Sequence, residues 1–477
     1  MFSIADRLEC FFDQQLLDMN ATTAEIRLHA PRRREHLMTF DAPWEGDMSN
    51  YFIILHDDDR YRMYYLGWSY RKNPPVVCYA ESRDGLTWHK PQLGICEFNG
   101  SKANNIILDQ TQNPVIDNFM AFKDENPRCR DGERYKAVVL YNEGSGRESP
   151  SWGLYAYVSP DGIHFTRDHL ITREGFFDSV NVAFWDKTAQ KYRCYFRSFH
   201  TAPEGAPCSS TGNDIRDIRY MESEDFISWS EPAPLNYGDA EDFPLYTNNV
   251  QPYYRAPHIL VGLPTRYVER VAWNDSFNEL CGKEQRLERM RDCGRYGLVV
   301  TDALFMTSRN GVDFKKYDEA WASPNPENGR NWTYGDCYFA YGIIETPSDI
   351  EGEDPEMSFY AGEDSWMRPV RLYRYTLRRD GFVSLHAGAQ EHRILTKEFT
   401  YKGGALTVNF STSARGYAYF TLIDSAGNRH ESSEYFGNST QRKIRFGDDA
   451  ILKNSGHPVR LEVRLREADL YSIRFHN

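Results

Sequence analysis

Two stretches of the chain place an acidic residue and an asparagine at one fixed distance before an aromatic run. Asp47 and Asn50 precede residues 61–65 (Tyr-Arg-Met-Tyr-Tyr) with the spacing that separates Asp178 and Asn181 from a second Tyr-Arg-x-Tyr-aromatic run. This spacing indicates a repeated structural unit, whose symmetry-related strands would direct equivalent carboxyl groups to one axis. Carboxyl groups gathered in this way ionise unequally. Glycoside hydrolysis uses that inequality, because one carboxyl group donates a proton and another acts as nucleophile or base.

A second repeated motif sets the number of units. Residues 82–88 (Ser-Arg-Asp-Gly-Leu-Thr-Trp) recur in related form at residues 159–165, 223–229 and 308–314, and more weakly at residues 378–383. In each copy Asp or Asn accepts backbone hydrogen bonds and Gly allows positive φ, so we interpret these acidic residues as turn formers without a catalytic role. Two short strand-like runs, rich in Tyr, Phe and Val, precede each turn. Five units of four strands predict an all-β fold, a five-bladed β-propeller.

Acidic or amide side chains begin the innermost strand of every predicted blade. They are Asp47, Asp117, Asp178, Asn248 with Asn249, and Asp336. The innermost strands of a propeller line a central funnel, so we predict catalytic roles for Asp47, Asp117, Asp178 and Asp336, with Glu45 as a second candidate in the first blade. The alternative is that such residues only accept backbone hydrogen bonds from neighbouring blades.

The length of 477 residues indicates more than one domain. We predict an N-terminal segment over residues 1–40 that closes the ring or packs on the last domain, and a catalytic propeller over residues 41–388. Residues 389–477 alternate without the Asp-Gly turn and predict a small antiparallel β-sandwich. Residues 278–291 form the one stretch with helical character, a charged insertion in the fourth unit. Pocket depth is expected to depend on the loops over residues 201–217 and 268–295.

Composition narrows the class of partner. The net charge of −13 and the lack of a basic stripe argue against nucleic acid, and no run is long enough to span a membrane. Nine Cys without paired spacing, no zinc-binding pattern and no visible signal peptide predict a cytoplasmic protein without a metal or other cofactor. Aromatic residues make up 14% of the chain, which suits sheet cores and also stacking on sugar rings. The oligomeric state is not indicated.

The chain resembles the five-bladed β-propeller glycosidases of glycoside hydrolase families 32, 43 and 68 that carry a C-terminal β-sandwich. The similarity lies in residues 43–46 (Pro-Trp-Glu-Gly), 61–65, 178–186 and 262–266, and in residues 458–461 with 468–472. The resemblance implies a hydrolase of O-glycosyl bonds with one acidic residue on each of the first three blades.

Carried over by position, these residues have distinct roles. Asp47 (or Glu45) would be the nucleophile or base, Asp117 would orient the substrate and tune pKa values, and Asp178 would be the general acid. The chain lacks the family's Asn-Asp-Pro, Arg-Asp-Pro and Glu-Cys motifs, and Asp178 stands where the acid is usually Glu. Other candidates for the acid are Asp336, Glu345 and Glu174.

Further residues are predicted to bind substrate. They are Trp44, Asn50, Asn181, Asn248, Arg266 and Glu345. Trp44 is equally suited to a packed core and Arg266 to a surface ion pair. The resulting hypothesis is a glycoside hydrolase that removes a terminal sugar from an oligosaccharide in the funnel. The alternatives are a carbohydrate-binding propeller without catalysis and a sialidase-like hydrolase. The last requires three arginines that converge in the funnel, and the chain offers Arg197, Arg266, Arg368 and Arg371 near strand ends.

Overall fold

The computed structural model describes residues 2–144, 146–202 and 214–477. Four-stranded antiparallel sheets follow one another along the chain as blades. Blade 1 contains Asn50–Asp57, Arg60–Ser69, Asn73–Ser82 and Ile106–Leu108. Blade 2 contains Met120–Lys123, Tyr135–Tyr141, Gly153–Ser159 and Thr166–Thr172. Blade 3 contains Val182–Asp186, Lys191–Thr201, Asp214–Ser223 and Ala233–Pro234.

Two more blades complete the ring. Blade 4 contains Gln251–Tyr253, Ala256–Gly262, Met306–Ser308 and Phe314–Lys316. Blade 5 contains Ile344–Thr346, Glu356–Glu363, Arg371–Leu377 and, from the start of the chain, Arg32–Thr39. Because Arg32–Thr39 pairs antiparallel with Arg371–Leu377, hydrogen bonds between the two ends of the propeller close the ring. The predicted five-bladed all-β fold is confirmed.

The Asp-Gly turns have the structure that the sequence predicts. Asp84 Oδ1 accepts hydrogen bonds from the backbone N–H groups of Leu86 (2.8 Å) and Thr87 (2.7 Å). Gly85 has a φ of 73°, and a Cβ there would lie 2.5 Å from Ile344 Cδ1. Only glycine therefore fits at this point, where the turn meets the neighbouring blade.

Buried tyrosines connect three of these turns to the blade before them. The Tyr64 hydroxyl donates to the carbonyl of Gly162 in blade 2 (2.7 Å). Equivalent bonds run from Tyr195 to the Gly311 carbonyl (2.9 Å) and from Tyr360 to the Gly85 carbonyl (2.8 Å). The repeated motif thus has a structural cause in three of its copies, because the turns at Gly85, Gly162 and Gly311 supply the acceptor for a tyrosine of a neighbouring blade.

A ten-stranded sheet with its own apolar core follows the propeller. Its strands are Phe2–Ala5, Leu8–Cys10, Glu25–Leu28, Val383–Ala387, His392–Leu395, Phe399–Tyr401, Ala405–Asp424, Arg429–Glu431, Asn438–Ile444 and Val459–His476. The two longest, Ala405–Asp424 and Val459–His476, pair antiparallel along most of their length. Three strands come from the N-terminal segment, so residues before Arg32–Thr39 belong to this sheet. Short helical turns at Gly447–Asp449 and Ala450–Asn454 lie between its last strands.

An insertion separates the second and third strands of blade 4. It contains the paired strands Thr265–Glu269 and Val299–Ala303 and, between them, the helices Asp275–Glu279, Lys283–Arg289 and Arg295–Leu298. The prediction of one helix over residues 278–291 is wrong. One helix ends at Glu279 and the next begins at Lys283, because Gly282 between them has a φ of 71°. Within the described ranges, no helix combines the length and the apolar character needed to cross a bilayer.

Candidate active site

A cavity of about 220 Å³, here called the central pocket, collects acidic residues from three blades. Asp47, Asp117 and Asp178 all line it. Each precedes the first strand of its blade, at Asn50–Asp57, Met120–Lys123 and Val182–Asp186. The ring therefore brings together side chains that are far apart in the sequence.

The Asp47 carboxylate is held by the backbone of its own blade. Its Oδ1 accepts hydrogen bonds from the Tyr70 backbone N–H (2.8 Å) and the Ser69 hydroxyl (3.2 Å). The preceding residue must be glycine, because a Cβ on Gly46 would lie 2.5 Å from Ser69 Cβ. The Asp47 carbonyl also accepts from the Trp366 N–H (2.7 Å) of blade 5. These contacts fix the carboxylate at the pocket wall.

The Asp117 carboxyl group is strongly affected by burial. Burial raises its pKa from the usual 3.8 to about 6, and the positive charge of Arg197 partly opposes this rise. The adjacent Asn118 is wholly engaged in the fold, since its amide donates to the Phe177 carbonyl and its Oδ1 accepts from the Leu140 N–H (3.2 Å). Asn118 thus fixes the backbone beside Asp117, and with a pKa of about 6 the Asp117 carboxyl group keeps its proton at mildly acidic pH.

Asp178 has a direct counter-charge. Arg197 donates from Nη2 to Asp178 Oδ1. The arginine side chain is only 4% exposed, whereas the side chain of Asp178 is 47% exposed. The guanidinium group therefore lies behind the carboxylate and directs it toward the pocket.

Aromatic rings form much of the lining of the central pocket. Tyr338 stacks on Tyr51 (6.4 Å between ring centroids) and on Tyr246 (5.5 Å). Trp366 stacks on Tyr334 (5.2 Å) and contacts Tyr296 (5.0 Å). Apolar faces edged by hydroxyl groups suit the two faces of a sugar ring.

Backbone strain is also found in this lining. Tyr51 and Trp366 have φ values of 55° and 65°, in the left-handed region that bulky residues seldom adopt. Each costs on the order of 1 kcal/mol or more, and such costs cluster at functional sites. In both residues the unusual backbone points a large ring into the pocket.

Glu45 and Trp44 lie outside the central pocket. Glu45 is buried and accepts hydrogen bonds from the Tyr65 hydroxyl (2.6 Å) and Lys90 Nζ (2.7 Å). Trp44 donates from its indole to Asn105 Oδ1 (2.9 Å) and packs on Phe98. The packed-core alternative therefore describes Trp44, and Glu45 is a buried partner of Lys90.

The asparagines predicted to bind substrate fall into two groups. Asn50 lines the pocket, and its Oδ1 has no hydrogen-bond partner among the described residues. Asn181 donates to the carbonyl of Phe177 (2.9 Å), and Asn248 donates to that of Val180 (3.3 Å). Asn181 and Asn248 therefore connect backbone segments behind the pocket and do not line it.

Two further predicted residues, Arg266 and Glu345, lie away from the pocket lining. Arg266 is paired with Asp302 (2.9 Å from Nε to Oδ1), and Glu345 accepts from Arg379 Nη2 (2.7 Å) and from the Tyr254 hydroxyl (2.8 Å). Both are engaged in ion pairs, which for Arg266 is the alternative to substrate binding that the sequence left open.

Asp336 and Glu174 were the remaining candidates for the acid. Asp336 is buried and accepts from the Thr333 backbone N–H (2.7 Å). Burial raises the pKa of Asp336 to about 7. Asp336 follows Gly335, which lines the pocket, but Asp336 does not line it. Glu174 is exposed at the surface.

The arginines named for the sialidase-like alternative have carboxylate partners. Arg197 pairs with Asp178, whereas Arg368 and Arg371 share Asp364. Among the described residues, the arginine that lines the central pocket is Arg295. The same part of the chain contains no group of three or more His, Cys, Asp and Glu side chains arranged to hold a metal ion.

Sequence reasoning missed most of the aromatic lining and the contribution of the insertion. The missed residues are Met48, Tyr51, Trp68, Tyr70, Tyr246, Arg295, Tyr296, Tyr334, Gly335, Tyr338, Ser365 and Trp366. The high tyrosine content was a signal, but it did not distinguish core from pocket. The loop over residues 268–295 was expected to shape the pocket, and Arg295 lies there; residues 203–213 of the other loop lie outside the described residues.

Comparison with known proteins gives similarities of fold. No family model matches the chain, and no curated protein matches it. An N-acetylgalactosamine deacetylase from F. plautii, solved with blood group B trisaccharide, is 12% identical, with 74% of this chain and 96% of that chain covered and a TM-score of 0.47. A GH32 β-fructofuranosidase of Bombyx mori is 10% identical, with 94% of each chain covered and a TM-score of 0.42. An exo-inulinase from Aspergillus awamori is 9% identical over 93% of this chain and 100% of that chain, with a TM-score of 0.39.

Proposed function

We propose that the protein is a glycoside hydrolase that removes a terminal sugar from an oligosaccharide in the central pocket. The observation that carries the proposal is the position of Asp47, Asp117 and Asp178 around one cavity. Hydrolysis of a glycosidic bond needs a proton donor and an ionised carboxylate on the same substrate. The three groups have different surroundings, which is the condition under which such roles separate.

Asp117 is the proton donor in this mechanism. Its pKa of about 6 keeps a substantial protonated fraction at mildly acidic pH, and a donor works best when its pKa is near the operating pH. Asp178 was expected to be the acid by resemblance, but its bond to Arg197 favours the ionised carboxylate. The electrostatics therefore support an exchange of the roles of Asp117 and Asp178.

Asp47 is the nucleophile or the general base. Its carboxylate accepts two hydrogen bonds from the blade 1 segment, which orient it toward the cavity. Asp178 then stabilises the positive charge that develops on the sugar ring in the transition state. The anomer of the first product, observed by NMR during turnover, distinguishes a nucleophile (retention) from a base (inversion).

The size of the pocket supports action on a chain end. Its volume of about 220 Å³ is smaller than the roughly 300–1,000 Å³ of pockets for drug-sized ligands. This space suits a single sugar ring against the aromatic lining. A partner of this chemistry, an oligosaccharide with a free end, is accordingly the proposed substrate.

A set of isosteric variants tests the proposal. Asp47→Asn, Asp117→Asn and Asp178→Asn are assayed against aryl-glycosides and plant or algal oligosaccharides, with released monosaccharide as the readout. We expect each to reduce kcat/KM by at least about a hundredfold, the scale of a lost acid or base. Glu174→Gln, an exposed carboxylate change, is the matched control and should retain full activity. If the folded Asp117→Asn and Asp178→Asn variants turn over glycans as fast as the parent, the proposal is abandoned.

The same variants separate catalysis from binding alone. A carbohydrate-binding propeller would retain an oligosaccharide on an affinity column yet release no sugar in any variant. In that case Asp117→Asn would bind as well as the parent, and the parent itself would be inactive.

A further inference from the structure

The insertion of blade 4 does not lie over its own blade. It crosses the connections of blade 5, because Cys281 Sγ lies 2.9 Å from the Asn331 carbonyl and 3.7 Å from Met367 Sδ. Further along, the guanidinium of Arg289 lies 4.7 Å from the centre of the Trp366 ring. Blade 5 is the last blade of the ring, so a segment that crosses it arrives at blade 1.

The far end of the insertion is fastened to blade 1. Asp292 accepts hydrogen bonds from the Tyr70 hydroxyl and from Arg71, and Glu288 pairs with Arg71 (3.2 Å). Tyr70 and Arg71 connect the second and third strands of blade 1, and the Tyr70 backbone N–H also holds the Asp47 carboxylate. The insertion therefore spans from blade 4 to blade 1 across one side of the pocket.

The insertion also supplies part of the pocket surface. Arg295 and Tyr296 line the cavity together with Tyr70 of blade 1 and Trp366 of blade 5. The Trp366 ring contacts both Tyr296 (5.0 Å) and Tyr70 (5.1 Å). Four aromatic and basic side chains from three parts of the ring thus form one continuous wall, and a sugar chain cannot extend through it.

We propose that residues 271–297 restrict the central pocket to the end of a glycan chain. The inference rests on the proposed function and names the structural element that determines its specificity. A funnel open on all sides would admit an internal sugar unit, with chain continuing in both directions. With the side over blade 5 closed, only a terminal unit reaches Asp117, because the wall leaves no room for a further unit beyond it.

The strand pairing at the base of the insertion makes a clean deletion possible. Glu269 pairs with Val299, and the Arg270 N–H donates to the Leu298 carbonyl (3.1 Å). An Asn-Gly turn is the usual two-residue link between strands joined in this way, so it can replace residues 271–297. This deletion variant and two double variants are compared with the full chain on oligosaccharides whose non-reducing ends are free or blocked by a methyl group.

We expect the full chain to release monosaccharide from free ends and to ignore blocked chains. The deletion variant should lose at least about tenfold of this preference, the scale of discrimination by a steric contact, and should release longer fragments. The double variant Glu288→Ala/Asp292→Ala removes the fastening to blade 1 and should shift the preference in the same direction, which covers a deletion that fails to fold. Glu279→Ala/Glu284→Ala makes the same charge change at exposed positions and should behave as the full chain.

Binding to the same oligosaccharides, measured by calorimetry on Asp117→Asn with and without the insertion, gives a readout that does not need turnover. If the full chain acts on or binds free ends only and the deletion and Glu288/Asp292 variants keep that preference, the inference is overturned while the proposed function stands. If no form hydrolyses or binds any glycan, both are overturned.

Discussion

Replacement of Asp117 by Asn should stabilise the folded protein, relative to the parent, more at alkaline pH than at acidic pH. In the folded protein the pKa of Asp117 rises from 3.8 to about 6. The folded state thus retains a proton that the unfolded state has already lost. The stabilisation from this proton is complete below pH 3.8 and is lost as pH rises through about 6. Asp117→Asn cannot ionise and loses nothing over this range.

The size of the effect follows from the shift. One pKa unit corresponds to 1.36 kcal/mol, so a shift of this size has an upper limit of about 3 kcal/mol. Because the Asp117 side chain lines the central pocket and is not fully buried, solvent screening reduces the expected value to roughly 1–2 kcal/mol. The free energy of unfolding of Asp117→Asn minus that of the parent should increase by this amount between pH 4.5 and pH 8.

Urea unfolding followed by tryptophan fluorescence provides the measurement. All other titrating groups are common to both proteins and cancel in the difference, apart from those that interact with Asp117. Glu174→Gln, which replaces a carboxyl group at an exposed position, is measured beside it as the control. A flat difference for Asp117→Asn, within about 0.5 kcal/mol, would mean that Asp117 has an ordinary pKa. The assignment of the proton donor would then be lost with it.

Three other outcomes are expected. If Asp117 donates the proton, kcat/KM falls about tenfold per pH unit above pH 6, as a pH–rate profile would record. Arg197→Leu should move that limb to higher pH, because the Arg197 charge opposes the rise in the Asp117 pKa, whereas Arg197→Lys should leave it nearly in place. Gly162→Ala should lower the free energy of unfolding by about 1–3 kcal/mol more than Gly100→Ala: both have positive φ, but a Cβ at 162 would lie 2.9 Å from the Tyr64 hydroxyl and at 100 has no neighbour within 4 Å. Comparable urea midpoints for the two glycine variants would contradict this last prediction.

The repeated motifs were sufficient to predict the ring. The Asp-Gly turn recurs because neighbouring blades need it at the point where Tyr64 or Tyr360 donates a hydrogen bond, so counting turns counts blades. The position of Asp47, Asp117 and Asp178 could be predicted for the same reason, since each lies just before the first strand of its blade. What repeats in sequence is what the symmetry of the fold requires.

The walls of the pocket could not be predicted in this way. Tyr51 and Trp366 enter the cavity through left-handed backbone conformations, which no local pattern of bulky residues signals. Tyr296 belongs to the insertion of blade 4 but contacts Trp366 of blade 5, and no periodic sequence pattern indicates this tertiary contact. Trp44 and Glu45, by contrast, precede Asp47 closely in sequence but face Asn105 and Lys90 in the core of blade 1.

Equivalent strands also show how a symmetric ring produces unequal carboxyl groups. Tyr61, Tyr135 and Tyr192 each pair with the serine that begins an Asp-Gly turn or its variant, so the second strands of blades 1–3 are in register with one another. Counting five residues along each strand gives Leu66 in blade 1, Leu140 in blade 2 and Arg197 in blade 3.

An arginine at one of these three equivalent positions thus gives the nearby carboxyl groups different electrostatic surroundings. Arg197 donates a hydrogen bond directly to Asp178, whereas the equivalent Leu140 carries no charge. Asp117 interacts with the charge of Arg197 only electrostatically, without a hydrogen bond. Burial then dominates at Asp117 and the ion pair dominates at Asp178. The backbone repeat places the acidic groups together, and the unequal surroundings of Asp117 and Asp178 then distinguish them.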